Sequence, residues 1–67
     1  MEYPIGINIR RLRLRVHMTQ RQLAYALRVS VQAVSKWERS ESYPDLTLLV
    51  PIAELFDVTL DELFGRK

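Results

Sequence analysis

The chain has 67 residues, 48% of them hydrophobic, with no cysteine and a single histidine. That is room for one small domain, residues 1–67, and it excludes a disulfide framework and any thiolate metal site. One imidazole, His17, does not make a zinc site, so no metal and no cofactor are expected. No secretory segment and no apolar run of about 18 residues appears, so neither export nor membrane insertion is indicated and a cytoplasmic setting fits.

The net charge of +2 conceals a sharp division along the chain. From Arg10 to Arg39 eight basic residues face one acid, Glu38, leaving +7; from Ser40 to Phe64 there are six acids and no Lys or Arg. Such asymmetry is the electrostatic footprint of a protein that meets a polyanion on one side. Taken alone it fits a solvated basic face equally well.

Apolar residues at helical spacing predict five helices and no strand, an all-α fold. The first covers about 5–16, with Ile5, Ile9, Leu12 and Val16 inward, and breaks at His17 and Met18. Thr19 with Gln22 forms a capping box that opens a second helix over about 20–27, with Leu23, Ala24 and Leu27 inward. Arg28 and Val29 make a tight turn. Ser30 then caps a third helix running to about Arg39, which buries Val34 and Trp37. Ser40–Pro44 reads as a loop. A fourth helix follows over about 46–56, with Asp45 as cap and Leu48, Leu49, Ile52, Ala53 and Leu55 or Phe56 apolar. Pro51 inside it predicts either a kink or a loose first turn, with the regular helix starting near Val50. Thr59 and Glu62 form another capping box for a short last helix that Gly65 can end.

The segment Thr19–Glu38 is therefore helix, short turn, helix, each capped. Two helices joined so tightly cross at a large angle, and one can span a phosphate backbone while the other enters a groove. The outer face of the second of these helices carries Val31, Gln32, Ser35 and Lys36. Amide, ammonium and methyl groups of this kind suit adenine, guanine and thymine edges respectively. No glycine-rich phosphate loop and no nucleophile–base set appears, so an enzyme is not expected.

The strings TQRQLAYALRVSVQAVSKWE and PDLTLLVPIAELFDVTLDELF resemble the phage-repressor-like (Cro/CI or XRE) helix-turn-helix family over about Ile5–Phe64. The resemblance implies a five-helix, lambda-repressor-like DNA-binding domain. It places base reading at Val31, Gln32, Ser35 and Lys36, and phosphate contact at Gln20, Arg39, Ser40, Ser42 and Tyr43, with Gln20 also bracing the recognition helix. Arg10 is the arginine of the first helix placed toward phosphate; Arg11 and Arg15 read as solvated. The resemblance also implies an Arg13–Glu38 ion pair with a structural role. Where the family carries glycine, this chain has His17, Arg28 and Ser40; if those backbones are left-handed, each costs about 1 kcal/mol.

Trp37 reads as core rather than as a base-stacking ring, and His17 as a helix-end residue rather than a pH sensor. Ile7 and Leu14 form either a small contact patch or ordinary exposed apolar residues. The reading these features support is a sequence-specific transcriptional regulator, a repressor, binding double-stranded DNA with a palindromic operator as a homodimer through about Phe56–Phe64. The alternative is an antitoxin or anti-repressor that acts through protein–protein contacts. The Met1 start and the Arg66-Lys67 end favour a whole protein over a piece of a larger regulator.

Overall fold

Four of the five helices begin on a side chain that satisfies an otherwise unpaired backbone amide. A computed structural model describes residues 3–66, which hold α1 Ile5–Arg15, α2 Gln20–Leu27, α3 Val31–Glu38, α4 Leu46–Phe56 and α5 Leu60–Phe64. Met1 and Lys67, weighed above as chain ends, lie outside the described residues. Both capping boxes are closed. Thr19 Oγ1 accepts from the Gln22 amide at 3.0 Å, and the Gln22 side chain accepts from the Thr19 amide at 2.8 Å. Thr59 and Glu62 make the same pair of bonds. Ser30 accepts from the Ala33 amide at 3.1 Å, and Asp45 from the Thr47 amide at 3.1 Å. Each cap is worth about 1 kcal/mol.

The helix ends are equally uniform. After every helix one residue turns left-handed: His17 (φ 59), Arg28 (φ 60), Ser40 (φ 62), Asp57 (φ 57) and Gly65 (φ 79). In each case the chain then doubles back on the last turn. Met18 N–H donates to the Arg13 carbonyl, Val29 to Ala24, Glu41 to Lys36, Val58 to Ala53 and Arg66 to Asp61. This is the Schellman closure, normally bought with glycine. Only one of these five positions is glycine. The three non-glycine sites expected from the sequence are all left-handed, and Asp57 is a fourth that the sequence reading missed. Removing one Cβ here relieves the left-handed strain while adding freedom to the unfolded chain. His17→Gly is therefore expected to raise stability by a few tenths to about 1 kcal/mol, read as a higher urea midpoint at unchanged slope.

The core draws on all five helices: Ile5 and Ile9; Leu23 and Ala24; Val34 and Trp37; Ile52, Ala53 and Phe56; Leu63. Ile9, Leu23, Val34, Ile52 and Leu63 are wholly enclosed. Each such side chain contributes roughly 1.5–3 kcal/mol. Trp37 is in this core, as expected. The inward stripe of α1, however, is Ile5, Gly6, Ile9 and Arg13. Val16 is 51% exposed, because α1 ends at Arg15 and the chain swings away through His17. Of the Leu55–Phe56 alternatives, Phe56 is the buried one.

Helix α4 covers Leu46–Phe56, the span expected from the sequence. It begins at Leu46 rather than near Val50 and continues through Pro51. Proline removes the amide that would have paired with the Thr47 carbonyl. Thr47 and Pro51 both face solvent, so water can serve that carbonyl at little cost.

Two close approaches fix α1 against the rest. Asn8 Nδ2 donates to the Leu63 carbonyl at 3.0 Å, tying α1 to α5. Gly6 lies directly against α3: a Cβ built there would sit 1.6 Å from the Trp37 carbonyl oxygen.

Candidate nucleic-acid interface

The turn between α2 and α3 sets the geometry of the site. Ala24 is buried where the two helices meet, and its carbonyl accepts the Val29 amide at 3.0 Å, so the chain reverses within Arg28–Ser30. Val29 is half-buried and Val34 is enclosed, which locks the crossing from the inside. Polar residues of α3 are then left for the outside. Gln32 and Lys36 are exposed, while Val31 and Ser35 are half-buried beside them. At spacings of three and four these four side chains occupy one face of the helix.

Behind that face lies a buried ion pair. Arg13 Nε donates to Glu38 Oε2 at 2.7 Å and Nη2 to Oε1 at 2.9 Å, a two-point contact with side chains only 9% and 4% exposed. Arg13 Nη1 also donates to the Met18 carbonyl at 2.8 Å. Burial pushes the Glu38 carboxyl up, but hydrogen bonds from Arg13 and Gln20 outweigh it and hold the group below its usual value. The Arg13 guanidinium is correspondingly raised, chiefly by its bonds to Glu38. The pair joins the end of α3 to α1, as the resemblance implies.

Gln20 completes this brace. Its Nε2 donates to Glu38 Oε1 at 3.0 Å, so the first residue of α2 is held by the last residue of α3. One N–H and the carbonyl oxygen of that amide remain free. Arg10 is exposed, one turn before Arg13, and its charge helps keep Glu38 ionised. Gln20 and the charge of Arg10 thus both act on Glu38, and Gln20 stands at the N-terminus of α2, where the helix dipole favours an anion.

On the far side of α3, Ser40, Ser42 and Tyr43 are exposed, and Tyr43 shows 54% of its surface. Arg39 is exposed as well, but its guanidinium is engaged. It donates from Nε and Nη2 to the two carboxylate oxygens of Glu41 at 2.9 and 3.0 Å, and from Nη1 to Ser35 Oγ. From the sequence Arg39 and Ser35 have separate roles and Glu41 reads as a loop residue; the structure brings all three together. The pairing depends on the left-handed turn at Ser40, which no local spacing rule announces. Ile7 and Leu14 are both about half exposed; Ile7 borders a shallow cleft with Ser40–Tyr43.

Two capped helices crossing at close quarters, braced by a buried ion pair and presenting a polar face on the basic half of the chain, define a helix-turn-helix domain of the DNA-binding class. The chain belongs to the helix-turn-helix family, whose model matches residues 9–63. It is 46% identical over 59 residues to the HTH-type transcriptional activator BcrR of Enterococcus faecalis, covering 88% of this chain and 29% of that protein. It is 35% identical over 51 residues to the cryptic phage CTXphi transcriptional repressor RstR of Vibrio cholerae, covering 76% of this chain and 46% of the relative. The chain thus spans less than half the length of either relative.

Among solved structures, a transcriptional regulator from Listeria innocua matches with a TM-score of 0.90 at 28% identity, over 97% of this chain and 61% of that one. The P22 c2 repressor, solved in complex with a synthetic operator, matches with a TM-score of 0.85 at 30% identity, over 94% and 96% of the two chains. The fold is therefore the phage-repressor-like one, and the family is one of transcriptional regulators rather than enzymes.

Proposed function

We propose that this chain is a sequence-specific repressor that binds a palindromic operator as a homodimer, with α3 in the major groove. The observation that carries this reading is the α3 face of Val31, Gln32, Ser35 and Lys36, with Gln32 and Lys36 exposed, held in place from behind by Arg13, Glu38 and Gln20. Gln32 matches adenine and Lys36 matches guanine, with Val31 against a thymine methyl. Gln20 and Arg10 on one side, and Ser40 and Tyr43 on the other, flank that face and serve as phosphate contacts. A single recognition helix offers few base contacts, so two half-sites about one helical turn apart supply the affinity. Residues Phe56–Phe64 form the dimer surface in this reading, where Leu60 is 42% exposed. Support for repression comes from two similar repressors, RstR and P22 c2, the latter matched over 96% of the solved chain, beside one similar activator, BcrR. Residues 1–67 act as a single DNA-binding unit, and among the described residues no helix is long and apolar enough to cross a membrane. A regulator of this kind works in the cytoplasm.

Binding to a selected operator should weaken steeply with salt, because phosphate contacts release counterions. Gln32→Ala and Lys36→Ala are each expected to cost roughly 1–3 kcal/mol at particular base pairs, measured as Kd on the selected site and its single-base variants. If both variants bind every variant site as the parent does, the recognition surface lies elsewhere. Retention of a protein partner with no retention of DNA would instead support the antitoxin or anti-repressor reading.

A further inference from the structure

Arg39 stands where a free, mobile cation would serve as a phosphate clamp, yet its guanidinium is fixed on two sides. Glu41 takes Nε and Nη2 with both carboxylate oxygens, at 2.9 and 3.0 Å, and Ser35 Oγ takes a bond from Nη1. Glu41 is itself anchored: its backbone amide donates to the Lys36 carbonyl at 2.9 Å, across the left-handed Ser40. That bond keeps the Glu41 backbone at the end of α3, with its carboxylate in reach of Arg39. Exposed ion pairs of this kind add little to stability, so what the pairing supplies is orientation.

The donor count says what that orientation is for. A guanidinium has five N–H groups, and three are used here, leaving one on each terminal nitrogen. Position 39 lies four residues after Ser35, three after Lys36 and seven after Gln32, so it continues the stripe that carries the base-facing side chains. Two N–H groups on adjacent nitrogens, presented from that stripe, match O6 and N7 on the major-groove edge of guanine. Glu41 also cancels most of the charge that a phosphate contact would use.

We infer that Glu41 is a positioning residue that holds Arg39, together with Ser35, as a reader of guanine at one position of each half-site. This rests on the DNA-binding reading above and moves Arg39 from the phosphate contacts to the base contacts. Glu41 does not itself touch DNA; it acts by fixing the guanidinium. Hydrogen bonds from Arg39, with the nearby charges of Arg39 and Lys36, hold the Glu41 carboxyl below its usual value, so the clamp is ionised at neutral pH.

The test is selection of bound duplexes from a random DNA pool with the full chain, followed by Kd measurements on the selected site and its single-base variants. The parent protein, Arg39→Lys and Glu41→Gln are compared. The parent is expected to prefer guanine roughly tenfold at one position per half-site. Arg39→Lys keeps the charge but lacks the planar fork, and should reduce that preference to about twofold there, leaving other positions unchanged. Glu41→Gln should do the same while binding all sequences somewhat more tightly, since it removes a negative charge facing DNA. The discrimination ratio, not the affinity, is the readout, and the unchanged positions show that both variants are folded. If Glu41→Gln tightens binding yet keeps the guanine preference, or no preference responds to Arg39→Lys, Glu41 does not position a base reader and the inference falls. If the parent protein enriches no sequence at all, the DNA-binding reading has failed, and this inference with it.

Discussion

Gly6→Ala is expected to cost about 3 kcal/mol of folding stability, toward the upper range for overpacking a tight contact. Alanine is the better helix former by about 1 kcal/mol, so propensity alone predicts the opposite sign. The contact decides it. The added Cβ would lie 1.6 Å from the Trp37 carbonyl oxygen and 2.7 Å from its carbon, and both are backbone atoms of a packed helix. No rotamer change relieves such a clash; α1 and α3 must separate by more than 1 Å, roughly the shortfall from an ordinary van der Waals distance. Trp37 and Ile9 are both core, so the separation opens the core as well. A domain this small holds roughly 5 kcal/mol in all, and most of it would be gone. The measurement is the urea midpoint, with loss of near-UV signal from the lone tryptophan. A variant as stable as the parent would mean that α1 does not approach α3 this closely.

Much of this architecture can be read from residue chemistry alone, and the parts that cannot share a physical cause. Caps are local: Thr19 with Gln22, Ser30, Asp45, and Thr59 with Glu62 act within three residues, so their spacing announces them. The left-handed helix ends at His17, Arg28 and Ser40 were visible only because a family pattern marks them as glycine positions. Asp57 carried no such mark and was missed, although aspartate tolerates that conformation better than most side chains. The role of Gly6 depends on where α3 lies, which helical periodicity does not report. Helical periodicity points Val16 inward, but the helix ends at Arg15 and the chain leaves it there.

The same contrast holds at the site. The α3 face follows from spacing once Val34 and Trp37 are known to be core. The resemblance implies the Arg13–Glu38 pair and a bracing role for Gln20 on α3; it does not name Glu38 as the acceptor, which lies 18 residues away across the crossing of α2 and α3. The Arg39–Glu41 pair spans only two residues and obeys no helical spacing rule, because a left-handed residue stands between them.

Glu38→Ala is expected to cost about 3–5 kcal/mol, because it leaves the Arg13 guanidinium buried without its counter-charge. Two Arg13 hydrogen bonds and one from Gln20 are lost together, and only the Arg13 bond to the Met18 carbonyl remains. A paired change, Arg13→Met with Glu38→Leu, should recover most of the loss, since it removes both desolvated charges instead of stranding one. The pH dependence follows from the same geometry. The Glu38 carboxyl is held below its ordinary 4.5 in the folded chain, so its contribution is complete above that value. It is lost as pH falls through the lower, folded-state value. Glu38→Gln should therefore be less stable than the parent at neutral pH, with the difference shrinking below about pH 4.5 as the parent protonates. Arg13, already raised, stays charged across this window and adds no slope of its own. The DNA consequence is separable from folding. Under conditions where Glu38→Gln is still folded, Gln20 has lost its charged acceptor, and operator affinity should drop while the base preferences at Gln32 and Lys36 persist. Denaturation followed at several pH values, alongside binding to the selected site, distinguishes the two effects; a loss below about 1 kcal/mol for Glu38→Ala would reduce the pair to the rank of an ordinary surface contact.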